Sequence, residues 1–244
     1  EQLTGAGEEF FLWDLDFSEG MMEGGFDIVI SNPPYVRGRE IIPQFYTQDQ
    51  LDEMPKSRVN SLGSDYKTHL RNYVVDAFDI KPYKTSDLYL YFYFKGFDLL
   101  ASGGTLSFVT SNSWLNTKYG KRLQEGLLKF TDLNYIFDNR STRTFTDADI
   151  NTVITVANRS SVPKLAEECS FVSVQEAYNE FVTEDTLQAL LANGGSDYEI
   201  EFRNETFDVT KNSEFREVGI PNKSLWTLGG GTLGSGLSGE SEVT

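Results

Sequence analysis

The segment Phe26-Asp27-Ile28-Val29-Ile30-Ser31-Asn32-Pro33-Pro34-Tyr35-Val36-Arg37 decides the fold. Its β-branched run, Ile28 to Ile30, is typical of a parallel strand that is buried on both faces. Because proline has no backbone N–H to donate to a ladder, we expect the strand to end at Asn32. Ligands of open α/β sheets bind beyond the carboxyl ends of the strands. The segment therefore predicts a parallel α/β sheet with a ligand site at Asn32, Pro33 and Tyr35.

The turn after this strand carries groups that suit a flipped-out base. An exocyclic amino group is a poor nucleophile because its lone pair is delocalised into the ring, so it needs hydrogen-bond acceptors rather than a strong base. The Asn32 side-chain oxygen and the Pro33 carbonyl can each accept one N–H, while Tyr35 stacks on the ring. A strand followed by a proline turn, with Tyr35 as ordinary packing, explains the same residues equally well. The surrounding sequence has to decide between them.

Composition excludes several classes of protein. The 244 residues suffice for one enzyme domain or part of one. The single cysteine, Cys169, excludes an intrachain disulfide and a multi-cysteine metal site, and the single histidine, His69, argues against a paired-histidine zinc site, so we expect no metal. No apolar run approaches the roughly 20 residues of a membrane span, and the N-terminus does not resemble a signal peptide. We expect a cytoplasmic protein.

The net charge of −16 is unevenly distributed. Residues 1–35 carry eight acidic and no basic side chains, and residues 160–244 carry 15 acidic and five basic ones. Residues 36–159 carry 14 acidic and 16 basic side chains, so the candidate site adjoins the least acidic part of the chain. Strong acidity with few lysines is typical of halophilic proteins, and an ordinary acidic mesophilic protein is the alternative.

The rest of the chain predicts an alternation of strands and helices. Residues 36–85 are polar and mixed in charge, and we expect a long excursion with short helices whose basic residues contact phosphates or simply face solvent. Residues 86–100 predict an apolar helix opened by a Ser or Asp cap and buried on several sides. Gly103-Gly104 should end that helix before a buried strand over 105–110. Strand, helix and strand together indicate a parallel sheet.

The later elements are shorter. Residues 111–115 lead into an amphipathic helix that should end near Phe130, and residues 133–137 and 150–156 predict an antiparallel hairpin at the sheet edge. Residues 160–228 are acidic, with a helix near 184–191 and a strand over 198–202. The last sixteen residues, 229–244, are rich in Gly, Ser and Thr, and we expect them to be disordered.

Four segments, in this order, resemble the adenine-specific DNA methyltransferases of type II and type IIG restriction-modification systems. Residues 32–37 look like the catalytic motif of that family, and Asp87-Leu88-Tyr89 resembles the motif that opens the next helix. Residues 103–115 resemble the following strand and turn. Thr144-Phe145-Thr146 with Ile150-Asn151-Thr152-Val153 resembles the loop whose aromatic residue packs against a flipped adenine.

The resemblance implies a Rossmann-like fold, S-adenosylmethionine as cofactor, and double-stranded DNA with a flipped adenine as substrate. It implies that Asn32 and Pro33 hold the adenine amino group, that Tyr35 and Phe145 stack on the base, and that Asp87 lies at the cofactor. The family's Gly-rich cofactor loop lies upstream of its catalytic motif. Residues 1–159 therefore resemble the C-terminal half of a catalytic domain, with the second half of the sheet and an antiparallel edge hairpin, and residues 160–228 resemble a linker towards a target-recognition domain.

Three functions fit these expectations. The first is transfer of a methyl group to adenine N6 in DNA by this chain as part of a longer enzyme. The second is an RNA or protein-glutamine methyltransferase, because the same acceptors suit an amide or base nitrogen. The third is a non-catalytic remnant, or a subunit that pairs with a separate chain carrying the cofactor-binding half and the recognition domain.

Overall fold

A computed structural model describes residues 16–43, 46–139, 151–160, 169–174, 183, 184, 188, 198–202 and 205–212, and the helices and strands of the fold are those of these residues. Seven strands form one sheet: β1 (Phe26–Ser31), β2 (Leu100–Ser111), β3 (Thr131–Asn139), β4 (Thr152–Arg159), β5 (Cys169–Val174), β6 (Tyr198–Phe202) and β7 (Glu205–Asn212). The helices are α1 (Ser18–Met22), α2 (Gln48–Glu53), α3 (Lys56–Phe78), α4 (Leu88–Leu99), α5 (Ser113–Asn116) and α6 (Gly120–Phe130). None of the helices in this part of the chain is both long and apolar enough to cross a membrane.

The sheet is mixed, with the strand order β1-β2-β4-β3-β5-β7-β6. Strand β1 pairs with β2 in parallel, and β3 pairs with β5 in parallel, whereas the remaining neighbours are antiparallel. The predicted strand, helix and strand are therefore confirmed as β1, α4 and β2. Because β1 and β2 are parallel, their carboxyl ends meet at one edge of the sheet, which is where ligands of α/β proteins bind.

Helix α4 is the centre of the core. Nine of its 12 residues are buried, which confirms the expectation that it is covered on several sides. Its Phe94 and Phe97 rings pack against Phe78 of α3, with centroid distances of 5.1 and 6.3 Å. Gly96 lets α4 lie close to β2, because a Cβ there would come within 2.8 Å of Leu106 Cδ1. This packing fixes the N-terminus of α4 beside the carboxyl ends of β1 and β2.

The predicted burial of β1 on both faces is wrong for the described residues. Val29 packs against the core, but Ile28 and Ile30 are 63% and 76% exposed. Within the described residues β1 pairs with β2 alone, so it lies at one edge of the sheet. The apolar run predicts the strand correctly, but the face of β1 that carries Ile28 and Ile30 is exposed.

The expected excursion of short helices between residues 36 and 85 is also wrong in one respect, because α3 is 23 residues long. Pro55 precedes its first turn and Pro82 follows its end, so neither proline interrupts the helix. Tyr66, Leu70 and Tyr73 recur at helical spacing on the side that packs against the core. That stripe was the overlooked signal.

Several boundaries differ from the predictions. Strand β2 begins directly at Leu100 and includes Gly103-Gly104, so these glycines do not separate it from α4. The β3–β4 pair is antiparallel as predicted, but it lies inside the sheet, and the antiparallel hairpin at the edge is β6–β7. Strands β5, β6 and β7 come from residues 160–228, which we expected to form a linker, and they extend the same sheet.

Candidate active site

The predicted site follows β1 directly. The strand ends at Ser31, and the next two residues, Asn32 and Pro33, are exposed and buried respectively. The Tyr35 hydroxyl donates a hydrogen bond to Asn32 Oδ1 over 2.7 Å. An amide oxygen has two lone pairs, so Asn32 Oδ1 retains the capacity to accept a second N–H. The turn thus presents a fixed amide oxygen and a ring side by side.

Tyr35 is a neutral hydrogen-bond donor at any ordinary pH. Burial of its half-exposed ring raises the pKa of the Tyr35 hydroxyl to about 12, because desolvation disfavours the phenolate. A tyrosine with that pKa cannot act as a general base near neutrality. Its hydroxyl therefore orients Asn32.

A cavity of about 210 Å³ opens at the carboxyl ends of β1 and β2. Its lining is polar and comes from four parts of the chain: Tyr35, Arg37, Asp87, Tyr89, Ser111, Asn112, Ser113 and Asn151. Two contacts hold the carboxyl end of β2. The backbone N–H of Asn112 donates to the Asn151 carbonyl over 3.0 Å, and the Ser111 and Ser113 hydroxyls lie 2.6 Å apart. The cavity offers hydroxyl, amide and carboxylate groups to a polar ligand.

Asp87 stands at the N-terminus of α4, as predicted, but its carboxylate does not cap the helix. One of its oxygens, Oδ1, accepts the Gly38 N–H over 2.8 Å, and the other, Oδ2, accepts the Tyr119 hydroxyl over 2.6 Å. The Tyr89 hydroxyl lies 3.0 Å from that of Tyr119. Asp87 therefore joins the turn after β1 to the segment that precedes α6.

Of the predicted site residues, Tyr35 and Asp87 line the cavity. Asn32 is joined to Tyr35 by a hydrogen bond, and Pro33 follows it in the same turn, but neither Asn32 nor Pro33 belongs to the cavity lining. Phe145 lies outside the described residues. Sequence reasoning missed Tyr119, which is separated from Asp87 by 32 positions and belongs to no motif. It passed over Asn151 as a ligand group, although that residue lies in one of the four quoted segments. Among the described residues there is no cluster of three His, Cys, Asp or Glu side chains that could hold a metal ion.

Comparison with known proteins finds relatives among type II methyltransferases. The Geobacillus stearothermophilus protein "Type II methyltransferase M.BstVI" is 29% identical over 137 residues, which are 56% of this chain and 19% of that protein. "Type II methyltransferase M.XhoI" of Xanthomonas vasicola is 29% identical over 130 residues, covering 53% of this chain and 19% of the relative. The chain thus spans about a fifth of the length of these curated relatives.

A solved structure, that of the type IIG restriction endonuclease BpuSI, shares the fold. It superposes with a TM-score of 0.53 at 18% identity, over 80% of this chain and 20% of that one. The sequence profile of one family, described as Eco57I restriction-modification methylase, matches residues 1–145, a range that includes the turn after β1, α4 and β2. The resemblance based on four short segments is therefore confirmed, and the chain belongs to the Eco57I restriction-modification methylase family.

Proposed function

We propose that this chain provides the substrate-binding half of an S-adenosylmethionine-dependent DNA methyltransferase that acts on adenine N6. The observation that carries the proposal is the exposed Asn32 amide oxygen, which Tyr35 holds at the carboxyl end of β1 beside an open polar cavity. The family relatives are named type II methyltransferases, and this supports methyl transfer as the reaction. Adenine is proposed as the methylated base because the Asn-Pro-Pro-Tyr turn resembles the catalytic motif of the adenine-specific DNA methyltransferases.

The chain's own residues would act by binding and orientation. S-adenosylmethionine supplies an electrophilic methyl group on a sulfonium centre. Asn32 Oδ1 and the Pro33 carbonyl accept the two N–H groups of the adenine amine, which directs its lone pair towards that methyl group. The Tyr35 ring stacks on the flipped base, and Phe145 is proposed to cover its other face. The N–C bond would form as the bond between the methyl carbon and the sulfonium sulfur breaks, so that S-adenosylhomocysteine is the leaving group, and the proton that the amine loses would pass to solvent.

The cofactor site is only partly supplied by the described residues. The segments after β1 and β2 are Asn-Pro-Pro-Tyr and Asn-Ser-Trp-Leu, and neither has the glycines with which a loop approaches a nucleotide closely. The hydroxyl and amide groups of Ser111 and Asn112 fit the polar parts of S-adenosylmethionine. Cofactor contact by Asp87 stays a prediction. Both of its oxygens already accept one hydrogen bond from the protein, so a contact with the cofactor would need the remaining acceptor capacity of one of them.

We propose that a further polypeptide segment, carrying the glycine-rich cofactor loop, pairs with the edge of β1 that has no neighbouring strand among the described residues. The large exposed apolar side chains on β1 and just before it support an additional covering element: Phe17, Met22, Ile28 and Ile30 are 45%, 87%, 63% and 76% exposed. An unpaired strand edge offers backbone N–H and C=O groups to another strand. Ile28 and Ile30 lie two positions apart and therefore on one face of the sheet, where a second part of the same segment would bury both. The segment belongs either to the same gene product or to a separate chain.

The experiment is an analysis of the methylated product. The complete enzyme, with its cofactor-binding half, is incubated with labelled S-adenosylmethionine and either double-stranded DNA or RNA, and the nucleosides are separated. We expect the label in N6-methyladenine from DNA. Label in a methylated cytosine, or in RNA alone, would overturn the proposed substrate. A complete enzyme that binds S-adenosylmethionine and methylates neither nucleic acid would favour the protein-glutamine alternative or a non-catalytic subunit.

A further inference from the structure

The turn after β1 is attached to the start of α4 at three points. The Leu88 N–H donates to the Val36 carbonyl over 2.9 Å, and the Gly38 N–H donates to Asp87 Oδ1 over 2.8 Å. Gly38 is buried, and a Cβ on it would come within 2.5 Å of the Thr85 carbonyl oxygen. The residues that follow Tyr35 therefore lie directly against the backbone that leads into α4.

The Asp87 carboxylate does not cap its own helix, although Asp87 occupies the N-cap position. An aspartate at the N-cap ordinarily accepts hydrogen bonds from the first free N–H groups of its own helix. Here neither oxygen does so, because Oδ1 accepts from Gly38 and Oδ2 accepts from the Tyr119 hydroxyl over 2.6 Å. The carboxylate therefore binds two segments that are distant in sequence instead of the N-terminus of its own helix.

Tyr119 is well suited to hold that carboxylate. Burial raises the pKa of its hydroxyl to about 12, so the hydroxyl keeps its proton and donates it. Since that one proton is directed at Asp87, the Tyr89 hydroxyl must donate to the Tyr119 oxygen across their 3.0 Å separation. The three groups form one oriented chain of hydrogen bonds from Tyr89 through Tyr119 to Asp87.

The backbone next to Tyr119 is itself held tightly. A Cβ on Gly120 would overlap the carbonyl of Trp114, so only glycine permits this approach. The buried Gln124 side chain donates to the same carbonyl over 3.0 Å. The position of Tyr119 is therefore set by α5 and α6, the elements that follow β2.

We propose that Asp87 and Tyr119 form a latch that positions the Asn32–Tyr35 turn for methyl transfer, with Tyr119 as a positioning residue. The proposal rests on the proposed function. In it Asp87 acts on the turn through the Gly38 N–H, rather than as a ligand of the cofactor. Small displacements of a reacting group reduce the rate strongly while leaving binding intact. The latch therefore predicts an effect on kcat with little change in KM.

The test compares Tyr119→Phe with Tyr73→Phe in the complete enzyme. Tyr73 is a matched control, because its hydroxyl donates to Asp98 Oδ2 over 3.2 Å in the contact between α3 and α4, away from the turn. We expect Tyr119→Phe to lower kcat about tenfold, the effect of one lost hydrogen bond to a charged group, with KM for DNA and for S-adenosylmethionine within about twofold. Tyr73→Phe should leave kcat unchanged. Equal values of kcat for the two variants would overturn the latch.

Substitution of Asp87 separates positioning from cofactor binding. Asp87→Asn keeps an oxygen for Gly38 and places an N–H₂ group opposite the Tyr119 oxygen, so it should retain most of kcat, whereas Asp87→Ala should lose it. A large rise in KM for S-adenosylmethionine in Asp87→Asn, with kcat preserved, would instead make Asp87 a cofactor ligand and overturn the proposal.

Hydrogen exchange provides a readout that does not depend on catalysis. In this chain, Tyr119→Phe should speed exchange of the amides in residues 36–42, because the Gly38 N–H loses its fixed acceptor, and Tyr73→Phe should not. Unchanged protection in both variants would contradict the latch. If the wild-type complete enzyme transfers no methyl group but the exchange result holds, the proposed function fails and the latch stands as a structural device.

Discussion

Tyr35→Phe removes one atom from the candidate site and thereby tests what the hydroxyl does. The ring stays, so stacking on a base is preserved, but the 2.7 Å hydrogen bond to Asn32 Oδ1 is lost. Such a neutral bond contributes about 0.5–1.5 kcal/mol net, and the exposure of Asn32 favours the lower half of that range. If the bond serves only to orient Asn32, the rate of transfer should fall about two- to fivefold.

Tyr35→Ala is the informative companion, because it removes the ring as well. Stacking of a base on an aromatic side chain is worth about 1–3 kcal/mol, so the rate for Tyr35→Ala should fall by roughly a further five- to 160-fold. The assay is single-turnover methyl transfer to duplex DNA by the complete enzyme. Equal losses in the two variants would refute the reasoning, since the hydroxyl would then carry the whole effect. A Tyr35→Phe variant faster than the wild type would show that the hydroxyl competes with the substrate for Asn32.

Three further predictions concern stability. Phe97→Ala, at a fully buried position, should lower the free energy of unfolding by about 3–5 kcal/mol. Phe92→Ala, at a residue that is 39% exposed, should lower it far less. Equal losses for the two variants in urea denaturation would contradict the placement of Phe97 in the core. Burial raises the pKa of Tyr35, Tyr93 and Tyr119 to about 12. The stability that these protonated hydroxyls contribute should therefore be complete below pH 10 and be lost as the pH rises towards 12. A free energy of unfolding that stays constant from pH 8 to 11 would argue against this contribution. With a net charge of −16, the melting temperature should rise between low and molar salt as the self-repulsion is screened, and an unchanged value would count against the halophilic interpretation.

Local chemistry made the centre of the site predictable. Two prolines after an apolar run place the end of β1 within one residue of Asn32, because proline cannot continue a ladder. The apolar residues of α4 are too many for one face, which indicates burial on several sides. These features depend on neighbouring residues alone, so the sequence displays them directly.

The partners of Asp87 could not be predicted in this way. Gly38 and Tyr119 lie 49 and 32 positions from it, and nothing in their local sequence marks them as hydrogen-bond donors to a carboxylate. Their proximity follows from how α4 packs between the turn after β1 and the segment before α6. The exposure of Ile28 and Ile30 was hidden for the same reason, since an apolar run does not tell whether another element packs on each face of the strand.

Strand order also depends on long-range pairing. The segments of β3 and β4 have the alternation of an antiparallel pair, but their place inside the sheet is set by β5, which joins β3 in parallel from a segment expected to be a linker. Five consecutive ladder positions from Tyr135 to Asn139 carry that pairing. No single stretch of sequence encodes it.

The central claim is that the Asn32 amide oxygen receives the amine that is methylated. The most direct measurement compares single-turnover methyl transfer and DNA affinity for Asn32→Ala and for Asn60→Ala, a control at an exposed position of α3, in the complete enzyme. The account predicts that Asn32→Ala slows transfer about 100- to 1,000-fold, the effect of removing one preorganised polar group, while DNA affinity stays within about twofold and Asn60→Ala behaves as wild type. Transfer by Asn32→Ala within a few-fold of the wild-type rate would contradict it.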